Sequence, residues 1–180
     1  MNSVRIVGGE FRRRVLRFPD SEGLRPTPDR VRETLFNWLG HDLTGLSALD
    51  LFAGSGVLGL EAASRGAAPV RFVERDRRIH ATLSRNLARF GGADAGLHAW
   101  RGDALEFAAF AVGETFDLVF VDPPYRQGWL ARLWPALVAL TRSGSRIYVE
   151  AEAPVTAPDP WQICRLGHAG QVHFHLLSRT

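Results

Sequence analysis

From residue 46 to residue 150, short apolar runs alternate with segments whose apolar residues recur at helical spacing. The predicted strands cover residues 46–52, 70–74, 97–101, 116–121 and 146–150, and the predicted helices cover residues 57–65, 76–90, 104–112 and 129–140. Strands that alternate with helices favour a parallel sheet with right-handed crossovers. We therefore expect an α/β fold with a doubly wound, Rossmann-like sheet.

Near both ends of the chain the sequence pattern predicts a β-hairpin instead of alternating strands and helices. Residues 4–7 and 11–16, joined by Gly8-Gly9, are typical of a short basic hairpin. Residues 162–166 and 171–177 predict a second hairpin at the other end of the chain.

A helix is predicted between the first hairpin and the first strand of the sheet. Thr27 and Pro28 favour its start, with the Thr27 hydroxyl as the cap and Pro28 at the first helical position, and Gly40 favours its end. We expect one folded unit in two parts: a basic hairpin and loop over residues 1–25, and the α/β domain over residues 26–180.

All 22 basic residues are arginine, and their excess over acidic residues lies near the N-terminus. Residues 1–25 contain six arginines and three acids, whereas residues 26–180 contain 16 of each. Guanidinium groups bind phosphate and stack on bases, so the cluster predicts a contact with nucleic acid. The candidate residues are Arg5, Arg12, Arg13, Arg14 and Arg17. A solvated basic arm, in a chain that uses arginine throughout, explains the charge equally well.

Cysteine usage limits the kinds of site that the chain can build. Cys164 is the only cysteine, which excludes an internal disulfide and a multi-cysteine zinc site. His173 and His175 share one face of a predicted strand but have no third ligand nearby in sequence, so we expect no metal. A reducing, cytoplasmic location follows most simply. No feature requires a second copy, and we expect a monomer.

The first strand of the alternating pattern leads into a glycine-rich loop. Gly54, Gly56 and Gly59 fit the G-x-G-x-x-G spacing of nucleotide-binding loops, and Glu74 follows Gly54 by 20 residues, where an acid can bind ribose hydroxyls. The pattern fits a nicotinamide dinucleotide, whose pyrophosphate would face the helix N-terminus. Asp50 would repel phosphate and suits the cationic S-adenosylmethionine. A tight turn without a ligand is the third alternative.

Asp103 and Ala104 follow the third predicted strand of the domain. In a nucleoside site, an acid at this position can accept a hydrogen bond from the adenine amino group. Aspartate is also a common helix cap. Both interpretations of Asp103 stay open at this point.

The tetrapeptide Asp122-Pro123-Pro124-Tyr125 follows the apolar run 116–121. Neither proline has an N–H to donate and each fixes φ, so the chain must leave the sheet rigidly. This holds a carboxylate and an aromatic ring at the carboxyl end of a strand, where open α/β sheets bind ligands. A fixed acceptor beside a flat ring suits a planar nitrogen base held by its NH group. The alternative is a turn with a solvated Asp122 and a packing Tyr125.

Together these motifs resemble S-adenosylmethionine-dependent methyltransferases of amino groups. More narrowly, the whole chain resembles the bacterial small-subunit ribosomal RNA guanine-N2 methyltransferases of the RsmD family. The segments that carry the resemblance are residues 5–12, 24–39, 50–66, 116–125, 147–150 and 170–172. The main departure is arginine where relatives often place lysine, which keeps the charge but alters the contact geometry.

The resemblance implies a function and roles for individual residues. It implies methyl transfer from S-adenosylmethionine to a guanine N2 of 16S ribosomal RNA, either free or within an assembled small subunit. The implied cofactor-binding residues are Thr27, Asp50, Gly54, Gly56, Glu74, Asp103 and Ala104, with Arg25 and Pro26 beside Thr27. Asp122 and the Pro123 carbonyl would accept hydrogen bonds from the amino group, Tyr125 would stack on the base, and the basic hairpin would contact phosphates.

Other functions fit parts of the same pattern. An acid-Pro-Pro-aromatic pocket also suits adenine N6 or a protein glutamine amide as the methyl acceptor. A third alternative is an RNA-binding assembly factor that has the fold without catalysis. Trp129 closely follows the tetrapeptide, and it either lines the base pocket or packs in the core.

Overall fold

The computed structural model describes residues 1–20 and 27–180. The strands are β1 (Asn2–Arg5), β2 (Val15–Phe18), β3 (Ala48–Asp50), β4 (Val70–Glu74), β5 (Leu97–Arg101), β6 (Phe116–Val121), β7 (Thr141–Ala151), β8 (Trp161–Ala169) and β9 (Val172–Arg179). The helices are α1 (Asp29–Leu39), α2 (Val57–Ser64), α3 (Arg77–Ala88), α4 (Ala104–Phe110) and α5 (Trp129–Ala139), and Gly92–Ala95 form a short 3-10 turn. The predicted alternation of strands and helices is confirmed.

Seven strands form one sheet in the order β5-β4-β3-β6-β7-β9-β8. Strands β3 to β7 pair in parallel, whereas β9 is antiparallel to both β7 and β8. The chain runs outward from β3 to β5 and then returns to β6, so the strand order reverses between β3 and β6. The doubly wound fold and the terminal hairpin are both confirmed, and β8 and β9 extend the central sheet. The reversal point is where ligands bind in sheets of this kind.

Helices cover both faces of the sheet and make two hydrophobic layers. In β6, Leu118 and Phe120 belong to the layer formed with α1, α2 and α3, while Val119 and Val121 belong to the layer formed with α4 and α5. A strand that is buried on both faces has a continuous apolar sequence instead of an alternating one. For this reason the predicted bounds of β6 match the structure. Within the described residues, no helix has the length and hydrophobicity needed to cross a membrane.

The N-terminal hairpin is present, but its predicted strand bounds were wrong. The predicted second strand, residues 11–16, begins only at Val15, because residues 10–13 form a turn in which Arg13 has a positive φ of 71°. The loop is closed by backbone hydrogen bonds from Ile6 N–H to the Arg14 carbonyl, at 3.0 Å, and from Arg13 N–H to the Ile6 carbonyl, at 2.9 Å. Arginines 12 and 13 are therefore presented on a turn and not on a strand.

Helix α1 begins one residue later than predicted. Pro28 is the N-cap residue instead of the first helical residue, and no side chain caps the helix. The Thr27 hydroxyl, which was expected to be the cap, donates a hydrogen bond to Glu150 Oε1 at 2.7 Å. Arg25 and Pro26, which the resemblance places beside Thr27, lie outside the described residues.

A buried ionic cluster joins the hairpin to the helices beneath it. The fully buried Arg32 side chain lies 2.6 Å from Glu61, whose second oxygen pairs with Arg65. Arg32 also donates to the Arg5 carbonyl at 2.8 Å, and Glu61 accepts the Val7 N–H at 2.6 Å. Because both buried charges are also satisfied by groups of the hairpin, the hairpin contributes to their solvation.

Candidate active site

Acidic residues gather at the carboxyl edge of the parallel strands. Asp50 ends β3, Glu74 ends β4 and Asp103 follows β5 by two residues, while Asp122 follows β6 directly and Glu150 lies near the end of β7. The carboxyl ends of neighbouring parallel strands meet at one edge of the sheet. The structure therefore brings the predicted acids Asp50, Glu74, Asp103 and Asp122 to the same edge.

The glycine-rich loop turns tightly between β3 and α2. Gly54 and Gly56 have φ values of 52° and 81°, a left-handed conformation that side chains rarely adopt. Gly59 has a different role, because a Cβ there would lie 2.3 Å from Phe72 Cε1. The first two glycines shape the loop, and the third lets α2 pack closely on β4.

Two carboxylates hold the glycine-rich loop and the start of α2 through hydrogen bonds to backbone N–H groups. Asp50 Oδ2 accepts the Gly59 N–H at 3.1 Å, and Glu74 Oε2 accepts the Gly54 N–H at 3.0 Å. Burial raises the pKa of Asp50 to about 7, and burial also raises the pKa of Glu74. A buried carboxylate with a raised pKa is stabilised by a positively charged ligand. Of the two cofactors considered for this loop, the sulfonium and ammonium groups of S-adenosylmethionine fit this environment and a pyrophosphate does not.

Asp103 is the N-cap residue of α4. Its Oδ1 accepts the backbone N–H groups of Leu105 and Glu106 at 2.8 and 2.9 Å, and the Glu106 side chain completes a capping box. The cap uses only one carboxylate oxygen of Asp103, and Ala104 beside it is buried. The capping role is therefore present in the structure, while contacts of Asp103 and Ala104 with an adenine stay a prediction.

The Asp-Pro-Pro-Tyr segment places the Asp122 carboxylate beside the exposed ring of Tyr125. Asp122 is half-buried, and its side chain accepts no hydrogen bond from the described residues. Burial, followed by the charges of Glu150 and Asp50, raises the pKa of Asp122 well above its ordinary value. The Tyr125 side chain is 41% exposed, so its ring is accessible to a ligand. The arrangement offers a hydrogen-bond acceptor and a stacking surface to a planar base.

Glu150 was not among the predicted site residues. Its Oε1 accepts hydrogen bonds from the hydroxyls of Thr27 and Tyr148 at 2.7 and 2.8 Å. A signal was available in the sequence, since Glu150 is an acid at the end of a predicted apolar strand. Its partner Thr27 could not be anticipated, because 123 residues separate the two in the chain.

Trp129 lies under the loop that follows Tyr125. The side chain is 5% exposed and meets Phe52 edge to face, with ring centroids 5.3 Å apart. Its Nε1 donates to Gln127 at 3.1 Å. These contacts support the packing interpretation of Trp129.

The arginines of the predicted RNA contact have different environments. Arg5, Arg12, Arg13 and Arg17 are exposed. Arg14 instead stacks on Phe90, with the guanidinium carbon 3.9 Å from the ring centroid, and donates to a backbone carbonyl at the end of α3. Arg14 therefore attaches the hairpin to the body of the protein.

A family model described as Conserved hypothetical protein 95 matches residues 4–178, nearly the full chain. The chain belongs to this family. With 44% identity, 98% of the chain aligns with 90% of the Ribosomal RNA small subunit methyltransferase D of Escherichia coli (strain K12). With 37% identity, 96% of the chain aligns with 92% of the protein of the same name from Haemophilus influenzae.

A solved structure extends the likeness to three dimensions. The Escherichia coli protein yhhF shares 42% identity with this chain and superposes with a TM-score of 0.88, covering 99% of this chain and 98% of its own. The predicted family and fold are confirmed. This member of the Conserved hypothetical protein 95 family is a methyltransferase. The roles of the individual site residues stay predictions.

Proposed function

We propose that this methyltransferase transfers a methyl group from S-adenosylmethionine to the exocyclic N2 of a guanine in 16S ribosomal RNA. The observation that carries the proposal is the Asp122 carboxylate, which no described residue satisfies and which stands beside the accessible ring of Tyr125. The naming of the relatives as ribosomal RNA small subunit methyltransferases supports RNA as the carrier of the base.

The cofactor would lie at the carboxyl edge between β3 and β5. Asp50 and Glu74 would face it together with the loop backbone at Gly54 and Gly56, while Thr27, Asp103 and Ala104 would complete the site from neighbouring segments. When bound, S-adenosylmethionine supplies an electrophilic methyl carbon and a positive charge. The buried carboxylate of Asp50 and the half-buried one of Glu74 complement that charge, which explains why an acid precedes the loop where a phosphate-binding enzyme would avoid one.

The acceptor amine needs activation, since its lone pair is delocalised into the guanine ring. Asp122 and the Pro123 carbonyl would accept hydrogen bonds from its two hydrogens, which favours a pyramidal nitrogen with its lone pair aimed at the methyl carbon. Asp122 is suited to hold the proton that the nitrogen loses, because its pKa is raised. The rate enhancement then comes mainly from positioning and electrostatics.

Tyr125 would stack on the target base and hold this alignment. A ring can reach the face of a base only if the base is unstacked or in a loop. The exposed arginines of the hairpin would bind phosphates around the target. We propose that the substrate is 16S ribosomal RNA, free or in an assembled subunit. We also propose that the enzyme is a monomer and that it acts in the cytoplasm, where ribosomal RNA is made and assembled.

The test is mass spectrometry of nucleosides from the ribosomal RNA of a strain that lacks this protein. N2-methylguanine should fall by one residue per small subunit, and expression of the protein should restore it. The Asp122→Ala variant should fail to restore it while still binding S-adenosylmethionine in isothermal titration, whereas Asp94→Asn, which alters an exposed acid, should restore it fully. An unchanged N2-methylguanine content in the deletion strain would refute the proposed substrate.

A further inference from the structure

Two acids lie at the carboxyl ends of the neighbouring strands β6 and β7, where the methyl acceptor would bind. Val121 of β6 pairs with Val149 of β7, so the next residues, Asp122 and Glu150, come to the sheet edge side by side. The proposed chemistry uses only Asp122, because a single carboxylate together with a carbonyl satisfies an NH₂ group. A second buried carboxylate at this place needs its own explanation, since burying a charge without a partner is costly.

The orientation of Glu150 is fixed by two hydroxyl groups. Thr27 and Tyr148 both donate to Oε1, at 2.7 and 2.8 Å, so both lone pairs of this oxygen are occupied. Oε2 accepts no hydrogen bond within the described part of the chain. The carboxylate is therefore held with one oxygen satisfied and the other available as an acceptor.

Guanine differs from the other possible methyl acceptors beside its amino group. Its Watson–Crick edge presents the N1–H donor next to the N2 amino group, so two donors stand in a row. Adenine presents the N1 lone pair next to its amino group, and a glutamine amide presents a carbonyl oxygen. Two neighbouring carboxylates complement two neighbouring donors and repel a lone pair in the second position.

We infer that Glu150 accepts the N1–H of the target guanine through Oε2, while Asp122 accepts from the amino group, and that Glu150 thereby selects guanine over adenine. The inference rests on the proposed function and adds to it the residue that recognises the base. Glu150 is thus a specificity residue as well as the anchor of Thr27, which precedes α1.

The test uses 2-aminopurine, a base that keeps the amino group at position 2 but has a lone pair at N1. The probe is an RNA transcript with the mapped target guanosine, compared with the same transcript carrying 2-aminopurine riboside at that position. The wild-type enzyme should prefer the guanosine transcript in kcat/KM by roughly 10- to 100-fold, the range for a hydrogen bond to a charged acceptor. In Glu150→Gln the amide can donate to the N1 lone pair, so this preference should shrink by at least about tenfold.

The control variant is Tyr148→Phe, which removes one of the two hydroxyl groups that donate to Oε1 and keeps Oε2 as an acceptor. Tyr148→Phe should lower kcat/KM for both transcripts by the same factor and leave the preference for guanosine over 2-aminopurine unchanged. If Glu150→Gln is inactive with both transcripts, the ratio of their dissociation constants, measured with S-adenosylhomocysteine present, should shift in the same direction.

Each outcome separates the inference from the proposed function. Suppose that the wild type methylates the guanosine transcript, and that wild type and Glu150→Gln prefer it over the 2-aminopurine transcript equally, both in kcat/KM and in dissociation constants. This result would overturn the role of Glu150 alone. Absence of N2-methylguanine from the wild-type reaction would overturn the proposed function, and the inference with it.

Discussion

Asp122 and Glu150 lie side by side at the carboxyl edge of the sheet, each one residue beyond the paired Val121 and Val149. Burial raises the pKa of both carboxyl groups, and the charge of Glu150 raises that of Asp122 further. Hydrogen bonds from Thr27 and Tyr148 stabilise the charged form of Glu150, while no described residue does so for Asp122. Glu150 therefore has two hydroxyl partners that stabilise its charge, whereas the charge of Asp122 has none among the described residues.

The raised pKa of Asp122 predicts a pH dependence of methyl transfer. Asp122 must be ionised to accept a hydrogen bond with either oxygen, so kcat/KM should rise with pH along a limb that lies above the ordinary aspartate pKa of 3.8. Glu150→Gln removes a neighbouring negative charge, which lowers the pKa of Asp122, and should move the limb to lower pH. Transfer of radiolabelled methyl across the pH range measures this. Glu152→Gln removes an exposed charge two residues from Glu150 and should leave the rising limb of the pH profile in place. If the limb lies at the same pH in the wild type, Glu150→Gln and Glu152→Gln, the proposed coupling between Glu150 and Asp122 is contradicted.

The Asp50 carboxylate is predicted to lower the stability of the unliganded protein and to favour binding of the cofactor. Its folded pKa of about 7 exceeds the ordinary value of 3.8, so the unliganded folded state loses stability as pH rises between these values and carries the full cost above pH 7. The shift corresponds to at most about 4 kcal/mol. Asp50→Asn should therefore raise the melting temperature of the unliganded protein at pH 8 and change it little near pH 4.

The same Asp50→Asn variant should lose most of the stabilisation that S-adenosylmethionine provides. Thermal melts at pH 4, 6 and 8, with and without S-adenosylmethionine, measure both effects in one series. The matched control is Asp94→Asn, whose side chain is exposed and whose melts should follow the wild type. A variant that is less stable than the wild type at pH 8 would show that the hydrogen bonds of Asp50 outweigh its desolvation.

The basic hairpin should contribute charge to RNA binding through its exposed arginines only. Arg12→Ala should weaken binding of a 16S RNA fragment and reduce the slope of log affinity against log salt by about one for each phosphate that the variant no longer neutralises. Arg165→Ala, which removes one exposed charge from strand β8, should leave the slope unchanged. If both variants show the same slope of log affinity against log salt, the hairpin does not contact the RNA. Arg14→Ala should instead lower the melting temperature, because its guanidinium packs on Phe90.

The buried ionic cluster predicts that the hairpin and the α/β body unfold together. We propose that residues 1–25 are an extension of the unit formed by residues 26–180 and not a separate domain. Glu61→Ala would remove the carboxylate that pairs with Arg65 and one of the two that pair with the buried Arg32, whose other partner is Asp29, and should cost about 3–5 kcal/mol of unfolding free energy. Urea unfolding should show one transition in wild type and variant. If fluorescence and circular dichroism report transitions at different urea concentrations, the hairpin and the α/β body do not form a single unit.

Local sequence was sufficient for the elements of the sheet and for much of the candidate site. Strands β4, β5 and β6 occupy the predicted residues. For β6 this is because a strand buried on both faces is a continuous apolar run bounded by turn residues. The acids Asp50, Glu74, Asp103 and Asp122 were predicted because each lies at or near the carboxyl end of a predicted strand, and parallel topology then brings these strand ends to one edge.

Contacts between distant parts of the chain required the tertiary structure. Thr27 has the sequence context of a helix cap, yet its hydroxyl binds Glu150, 123 residues away. Arg14 has the sequence context of an RNA-binding residue, yet it packs on Phe90. The sequence by itself determined the fold class, the edge at which the site forms and the acid beside the ring. Only the tertiary structure decided which hydroxyls, rings and charges complete that site, because a side chain is free to choose among local partners until packing brings distant ones within hydrogen-bond distance.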